Sequence, residues 1–311
     1  MQKTAFLFPG QGSQSVGMMA GLAEQSPIVK ETFDAASAVL GYDLWDLAQN
    51  GPVERLNKTE ITQPAMLTAG IATWRIWKSS GGFDPDYMAG HSLGEYTALV
   101  AAGSMDFEDA VAVADERGRD MQAATPPGSC EMAAILGLDD DVLVRVCAEA
   151  AQGQVVSCAN FNSPGQVVIA GDKEAVERAN ELAVAAGARH VLPLPVSVAS
   201  HCELMRPSAE AMQMKLEGVA LSKARIPVIH NVDVRTHQDA DEIRDLLVRQ
   251  MWAPVRWSET IQLLMENGVS HFIECGPGKV LTGLNRRISR EISSVALISH
   301  EAITETLENW S

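Results

Sequence analysis

Residues 87–102 have the sequence Tyr-Met-Ala-Gly-His-Ser-Leu-Gly-Glu-Tyr-Thr-Ala-Leu-Val-Ala-Ala. The apolar run Tyr87–Ala89 predicts a short strand, and Glu95–Ala102 has a helical pattern. Between them, Gly90-His91-Ser92-Leu93-Gly94 matches G-x-S-x-G, the sharp turn that presents a nucleophilic serine. Ser92 and Glu95 also fit a capping box, which would place Ser92 at a helix N-terminus, where negative charge is favoured. We predict that Ser92 is a nucleophile; the alternative is a helix cap with chance glycines.

Short apolar runs alternate with helical patterns on both sides of this turn, which is typical of an α/β fold. The strand candidates are Thr4–Phe8, Tyr87–Ala89, Ile226–Ile229, Val269–Glu274 and Ser294–Ile298. From this alternation and from the strand–turn–helix context of Ser92, we predict a larger α/β-hydrolase-like body with a parallel sheet.

The middle of the chain has a different pattern. Its strand candidates are Cys130–Leu136, Val155–Asn160, Gln166–Ala170 and Val191–Leu194, with helices capped by Asp139 and Asp172 in between. The order β-α-β-β-α-β is that of a ferredoxin-like unit. We therefore predict a smaller ferredoxin-like subdomain at residues 127–196, inserted into a larger catalytic subdomain of residues 1–126 and 197–311.

Composition excludes several classes of protein. The chain has 311 residues and a formal charge of −16, which argues against nucleic acid as a partner. No apolar run approaches the ~20 residues of a membrane span, so we expect a soluble, cytoplasmic protein. The five cysteines are scattered and form no C-x-x-C pair, so we expect neither a disulfide framework nor a metal site.

Among the seven histidines, His201 has the best local context for a general base. Ser200 and Glu203 fit a second capping box, which would place His201 in the first turn of a helix. The positive helix end would keep the imidazole neutral and able to accept a proton. The alternative is a first-turn residue whose side chain is satisfied by water or backbone.

Arg117 lies on the apolar stripe of a helix predicted from Asp106 to about Ala123. Because an unpaired buried charge is unfavourable, this guanidinium requires an anionic partner. The partner is either an internal acid or a carboxylate on the ligand. Arg119 falls on the face of Asp115 and Glu116, where a solvated ion pair is expected.

Two glycine-rich turns lack the spacing of nucleotide sites. Residues 10–14 do not fit G-x-G-x-x-G, and Lys279 in the second turn is followed by Val280, where a Walker loop has Ser or Thr. Both are expected to be strand-to-helix turns. The first could also offer backbone N–H groups to an oxyanion.

Taken together, the motifs resemble those of malonyl-CoA:acyl carrier protein transacylases and of the acyltransferase domains of polyketide and fatty acid synthases. The resemblance spans nearly the whole chain and rests on seven motifs in the same order. They are Phe8–Gln14, Thr62–Ala65, Gly90–Tyr96, Arg117-Gly118, Val196–His201, Gln250–Trp257 and Glu274–Gly278.

The resemblance implies a Ser92–His201 dyad, with the backbone N–H groups of Gln11 and Leu93 as an oxyanion hole. It implies that the backbone carbonyl of Gln250 orients His201 and that Arg117 binds the malonyl carboxylate. Further residues implied to line the pocket are Met121, Asn160 and Asn162.

The implied reaction is malonyl transfer from malonyl-CoA to the thiol of acyl carrier protein in fatty acid biosynthesis, by a monomer with no cofactor or metal. Three alternatives remain. The first is the malonyl transferase subunit of a malonate decarboxylase, and the second is an esterase or thioesterase that uses the same turn. The third is a non-catalytic carrier-binding protein.

The acidic chain must meet an acidic carrier protein through a local basic patch. The densest basic cluster is Lys279, Arg286, Arg287 and Arg290. We expect it to contribute to the docking face; the alternative is a solvated helix face.

Overall fold

The computed structural model describes residues 2–196 and 198–310. The strands are β1 (Lys3–Phe8), β2 (Tyr87–Gly90), β3 (Cys130–Leu136), β4 (Val156–Ser163), β5 (Gln166–Asp172), β6 (His190–Pro193), β7 (Val228–Ile229), β8 (Val269–Glu274) and β9 (Ser293–Ala296). The helices are α1 (Ala20–Ala23), α2 (Pro27–Leu40), α3 (Leu44–Asn50), α4 (Val53–Leu56), α5 (Thr59–Ser79), α6 (Leu93–Ala101), α7 (Phe107–Ala123), α8 (Asp140–Ala151), α9 (Lys173–Ala185), α10 (Arg206–Glu217), α11 (Ala240–Gln250), α12 (Trp257–Glu266), α13 (Val280–Ile288) and α14 (His300–Trp310). A short 3₁₀ helix spans Glu203–Met205.

A five-stranded sheet in the order β7-β2-β1-β8-β9 forms the centre of the larger unit, and all its described pairings are parallel. Successive side chains of β1 enter two different cores. Phe6 and Phe8 pack in one cluster, while Ala5 and Leu7 pack in the other. Burial on both faces explains why β1 is a continuous apolar run, as is usual for parallel strands. The predicted α/β body with a parallel sheet is confirmed.

The smaller sheet is antiparallel, in the order β4-β5-β3-β6. Helices α8 and α9 pack over it and bury their apolar side chains against its strands. In chain order these elements are β-α-β-β-α-β, so the predicted ferredoxin-like arrangement is confirmed. We propose residues 127–196 as its bounds; the predicted boundary residues Met1, Ser197 and Ser311 lie outside the described residues.

The two units touch beside β4. The backbone N–H of Phe161 donates to the carbonyl of Val255, and the N–H of Val255 donates to the carbonyl of Ala159, both at 2.9 Å. These bonds attach the antiparallel sheet to the loop that follows α11. Within the described part of the chain, no helix has the length and apolar character that crossing a membrane would need.

Candidate active site

The candidate site lies at the carboxyl ends of the parallel strands, where open α/β sheets usually bind ligands. Ser92 follows β2, His230 and Asn231 follow β7, and the loop containing Gln11 follows β1. Helix α7 supplies Arg117, and the end of α11 supplies Gln250. The fold therefore brings together residues that are far apart in the chain.

Close backbone packing at the turn between β2 and α6 requires both of its glycines. A Cβ atom on Gly90 would lie 1.9 Å from the backbone of Gly94, and a Cβ atom on Gly94 would lie 2.0 Å from the carbonyl oxygen of Phe8. Ser92 itself has φ 52° and ψ −112°, a strained conformation of the kind found at functional sites. The predicted strand–turn–helix context of Ser92 is confirmed.

The capping box predicted for this turn is wrong. Ser92 is the N-cap residue of α6, but its side chain makes no capping hydrogen bond. Instead, Ser92 Oγ lies 2.7 Å from His201 Nε2. Its predicted capping partner, Glu95, is fully buried and accepts hydrogen bonds from other parts of the chain.

His201 is oriented by the end of α11. Its Nδ1 lies 2.8 Å from the carbonyl oxygen of Gln250, and a carbonyl oxygen acts only as a hydrogen-bond acceptor. Nδ1 is therefore the donor, and Nε2 is left as the acceptor that faces Ser92. This is the geometry of a hydroxyl activated by a base, with a backbone carbonyl orienting the base.

His201 does not lie in the first turn of a helix, so that prediction is wrong. It has φ 62° and precedes the short 3₁₀ helix, whose N-cap is Cys202. Long-range contacts hold it, since its backbone N–H also donates to the carbonyl of Met251 at 3.1 Å. Burial, followed by the positive charge of Arg117, lowers the pKa of His201 to about 3. The imidazole is thus neutral at physiological pH, as expected, but the cause is desolvation and the neighbouring cation, not the end of a helix.

This pKa shift has a consequence for stability. In the unfolded chain a histidine titrates near pH 6.5, so between about pH 6.5 and pH 3 the unfolded state binds a proton that the native state does not. The contribution of His201 to the free energy of unfolding is fully present above pH 6.5 and is lost as the pH falls towards 3. We expect acidification from pH 7.5 to pH 5 to destabilise the wild-type protein by about 2 kcal/mol more than the His201→Gln variant. Denaturant unfolding at the two pH values measures the difference; equal losses would contradict it.

Arg117 is confirmed as a residue of the buried stripe of α7, with 1% of its surface exposed. NH1 donates to Gln63 Oε1 at 2.6 Å, and NH2 donates to Gln250 Oε1 at 2.9 Å and to Ser92 Oγ at 3.2 Å. All these partners are neutral, and Nε is buried without a hydrogen-bond partner. Among the residues that the structure describes, no carboxylate lies within ion-pair distance of this guanidinium. The neighbouring Arg119 is paired with Asp115 at 2.9 Å, as predicted.

Burial also acts on the charge of this arginine. Desolvation lowers the pKa of Arg117 from its ordinary value, because burial makes the charged form less favourable. Arginine nevertheless stays protonated in proteins. Tyr96 lies beneath it, with the guanidinium carbon 5.5 Å from the ring centroid. A buried cation beside the nucleophile, with no acid of residues 2–196 and 198–310 in contact, is suited to hold a carboxylate on a ligand.

A second layer of buried polar residues lies behind the dyad. Glu95 accepts from the backbone N–H of Asn231 and from Gln250 Nε2, both at 2.9 Å, and its Oε1 lies 2.7 Å from His230 Nδ1. Asn231 in turn accepts from the backbone N–H of Ser92 at 2.8 Å and donates to the carbonyl of Gly90 at 2.7 Å. These contacts hold the nucleophile turn in its strained conformation.

Sequence reasoning missed the roles of four residues in this layer and of one beside Arg117. It assigned no function to Gln63, His230, Asn231, the side chain of Gln250 or the buried carboxylate of Glu95. Three of them stand within motifs that carry the family resemblance, which was the available signal. His230 and Asn231 directly follow a predicted strand, a position where site residues are common.

The proposed oxyanion hole is compatible with the backbone. Leu93 is the first residue of α6, so its N–H has no acceptor within the helix. The loop after β1 lies against this turn, since a Cβ atom on Gly10 would be 2.5 Å from the carbonyl oxygen of His91. The Gln11 side chain contacts Thr59 Oγ1 at 3.5 Å.

The three remaining predicted pocket residues differ in their placement. Met121 is buried, and its sulfur accepts from Gln63 Nε2 at 3.4 Å, so it lies next to a partner of Arg117. Asn162 contacts His91 Nε2 at 2.8 Å and is thereby joined to the nucleophile turn. Asn160 is buried on β4; among the contacts described for residues 2–196 and 198–310, none joins its side chain to the dyad.

A largely apolar cavity of about 470 Å³ opens beside His201. It lies between α8 and β4 on one side and the loop after α11 on the other. Its lining includes Val156, Cys158, Phe161, Trp252 and Pro254. A long, flexible ligand arm could reach the dyad along this cavity.

Comparisons with known proteins show the family of the chain. A family model described as "Acyl transferase domain" matches residues 5–306. The malonyl CoA-acyl carrier protein transacylase of Escherichia coli (strain K12) is 55% identical over 308 residues, covering 99% of this chain and all of that protein. The chain belongs to the malonyl CoA-acyl carrier protein transacylase family.

Two solved structures show that the transacylase family shares this fold. An acyl carrier protein S-malonyltransferase from Vibrio cholerae has a TM-score of 0.96 and 53% identity, covering 98% of this chain and 99% of its own. A malonyl-transacylase solved in complex with its type II PKS acyl-carrier protein has a TM-score of 0.98 and 53% identity, covering 99% of both chains. The parallel sheet with its antiparallel companion is therefore the transacylase fold.

Proposed function

We propose that this chain transfers a malonyl group from malonyl-CoA to the phosphopantetheine thiol of an acyl carrier protein, through an ester on Ser92. The observation that carries the proposal is the buried guanidinium of Arg117, which lies 3.2 Å from Ser92 Oγ and has only neutral partners. An esterase that acts on neutral acyl groups would have no use for it.

In the first half-reaction, His201 Nε2 takes the proton of Ser92 as Oγ attacks the thioester carbon. The N–H groups of Gln11 and Leu93 stabilise the tetrahedral oxyanion, where losing one donor typically raises the barrier by roughly 2.7–4 kcal/mol. The C–S bond then breaks, and His201 returns the proton to the departing sulfur of coenzyme A. The malonyl ester remains, with its carboxylate on Arg117.

The second half-reaction reverses these roles. The carrier's pantetheine arm enters along the cavity beside His201, and the imidazole takes the proton from its thiol. The sulfur attacks the ester carbon, the C–O bond breaks, and the proton returns to Ser92 Oγ. The enzyme is regenerated, and malonyl-carrier protein leaves.

Intact mass spectrometry tests both halves. Incubation with malonyl-CoA should add about 86 Da to the protein as one ester, and addition of holo-carrier protein should remove it with an equal gain on the carrier. Loss of the adduct to water at the same rate without carrier would identify a hydrolase instead. No adduct at all would contradict the proposal.

We assign this activity to fatty acid biosynthesis, with malonyl-carrier protein as the product that a condensing reaction consumes. We also propose a cytoplasmic location. In support, the described thiols of Cys147, Cys158, Cys202 and Cys275 are buried and form no disulfide, as is usual for a reducing compartment.

The basic cluster at α13 is a candidate docking face for an acidic carrier. Lys279, Arg286, Arg287 and Arg290 are exposed, and within residues 2–196 and 198–310 no acid lies within 4.0 Å of their charged atoms. Arg287 contacts Gln166 at the start of β5, and α13 packs beside β4, which also holds Asn162 and its contact to His91. The basic cluster is thus linked, through β4, to the nucleophile turn of the candidate site.

Reversing two of these charges, in the variant Arg286→Glu/Arg287→Glu, should raise the KM for carrier protein by about tenfold and flatten its dependence on salt. The KM for malonyl-CoA in the first half-reaction reports whether the site is intact. The matched control is Lys30→Glu/Lys223→Glu, which reverses two exposed charges elsewhere. An unchanged KM for carrier in the α13 variant would remove the cluster from the docking face.

A further inference from the structure

The buried charge of Arg117 must be compensated when no ligand is present. A fully desolvated cation is strongly unfavourable without a counter-charge. Its hydrogen-bond partners, Gln63, Gln250 and Ser92, carry none. The compensating group must therefore act from the next layer.

Glu95 is the buried acid of that layer, with no exposed surface. The backbone N–H of Asn231 and the side-chain amide of Gln250 both donate to its Oε2 atom, and His230 Nδ1 contacts Oε1; accepting from such donors is the role of an ionised carboxyl group. One of these three groups is also a partner of Arg117. That group is the side-chain amide of Gln250.

The amide of Gln250 lies between the two charges in a fixed direction. Its Oε1 accepts from Arg117 NH2 at 2.9 Å, while its Nε2 donates to Glu95 Oε2 at 2.9 Å and to the carbonyl of Ser92 at 3.0 Å. Turning the amide over would set its NH₂ group against the guanidinium and its oxygen against the carboxylate. Both contacts would then be repulsive, so the dipole is held with its negative end at the cation.

We propose that the Gln250 amide bridges Glu95 to Arg117 and that this bridge determines specificity. It balances the positive charge of Arg117 and leaves the guanidinium free to bind the carboxylate of the substrate. Gln250 and Glu95 are positioning residues, since neither needs to touch the substrate. The inference rests on the proposed function of Arg117 as the malonyl-binding residue.

The separation of Glu95 from Arg117 by a single amide group is essential to this proposal. A carboxylate in direct contact with Arg117 would form a strong charge-assisted pair and would compete with the malonyl carboxylate. With no acid nearby, the empty site would hold an uncompensated buried cation. The amide bridge avoids both states, because the carboxylate is separated from the guanidinium by one hydrogen-bonded side chain: it favours the charged form of Arg117 without contacting it.

The double variant Gln250→Glu/Glu95→Gln tests the first consequence. It keeps both side-chain sizes and the backbone carbonyl that orients His201, but it moves the acid into contact with Arg117 and leaves a neutral amide at position 95, so that no two carboxylates face each other. We expect the ratio of malonyl to acetyl transfer to fall by about tenfold or more, mainly through KM for malonyl-CoA. Gln213→Glu, on the exposed face of α10, is the matched control and should leave both transfers unchanged.

Glu95→Gln tests the second consequence, the uncompensated cation, by removing the negative charge that balances Arg117. The free variant should have a lower Tm than the wild type, because the cation loses its counter-charge. The malonyl ester should then raise Tm by more than it does in the wild type, whereas the uncharged acetyl ester should not. A purely structural role would lower Tm without making the malonyl ester more stabilising.

The outcomes separate the two proposals. If the wild type forms no malonyl ester, the proposed function fails. If the wild type forms it but Gln250→Glu/Glu95→Gln lowers malonyl and acetyl transfer equally, the amide bridge is refuted and the function stands. An equal stabilisation by malonyl and acetyl esters in Glu95→Gln likewise refutes the bridge.

Discussion

Ser92→Ala should form no malonyl ester with malonyl-CoA, and transfer to carrier protein should fall by about 10⁴-fold or more. The expectation follows from the 2.7 Å contact between Ser92 Oγ and His201 Nε2, because alanine removes the only atom that the base can activate there. Binding of malonyl-CoA should survive, since Arg117 keeps its partners Gln63 and Gln250. Intact mass and single-turnover transfer measure the two effects.

Ser104→Ala is the matched control for this loss. Ser104 is also buried and donates to the carbonyl of Ser222 at 2.7 Å, beyond the C-terminal end of α6, whereas Ser92 stands at its N-terminal end. The control loses a buried hydrogen bond but should retain the ester. A persistent malonyl adduct on Ser92→Ala would assign the nucleophile to another residue.

Arg117→Ala should invert the acyl preference. Malonyl transfer should fall by about 100-fold or more, because the substrate carboxylate would be buried without its cation, while acetyl transfer should be retained or increased. The ratio of kcat/KM for malonyl-CoA to that for acetyl-CoA is the measurement. It is insensitive to a loss of active protein, because such a loss would reduce both rates equally.

Arg119→Ala provides the control on the same helix. Arg119 is exposed and paired with Asp115, so its removal changes the net charge equally without altering the site. Both transfers should stay within about twofold of the wild type, since exposed ion pairs contribute little. An equal loss of malonyl and acetyl transfer in Arg117→Ala would contradict a selective role for that residue.

Local pattern was sufficient for much of the fold. The strands of both sheets were predicted to within a few residues, because each has an apolar run bounded by turn residues. Helix α5 was not predicted. Almost every position between Thr59 and Trp77 is buried, so the helix has no polar face to give a 3.6-residue period, and Pro64 interrupts the pattern.

The site was only partly predictable, for a related reason. Arg117 could be found because a charge on an apolar helical stripe is a local anomaly. Glu95 was misinterpreted as a member of a capping box, and His201 as a first-turn residue next to another, because both are held by residues 230–251. A local pattern of polar residues does not distinguish a helix cap from a residue held by distant parts of the chain.

The separation of these partners along the chain also bears on how the protein folds. The contacts of Ser92 with His201, Asn231 and Gln250 span 109, 139 and 158 residues. Long-range contacts close late and slowly compared with local helices. Recovery of acyl transfer after dilution from denaturant should therefore lag behind recovery of helical circular dichroism, which makes the activity a reporter of the last step of assembly.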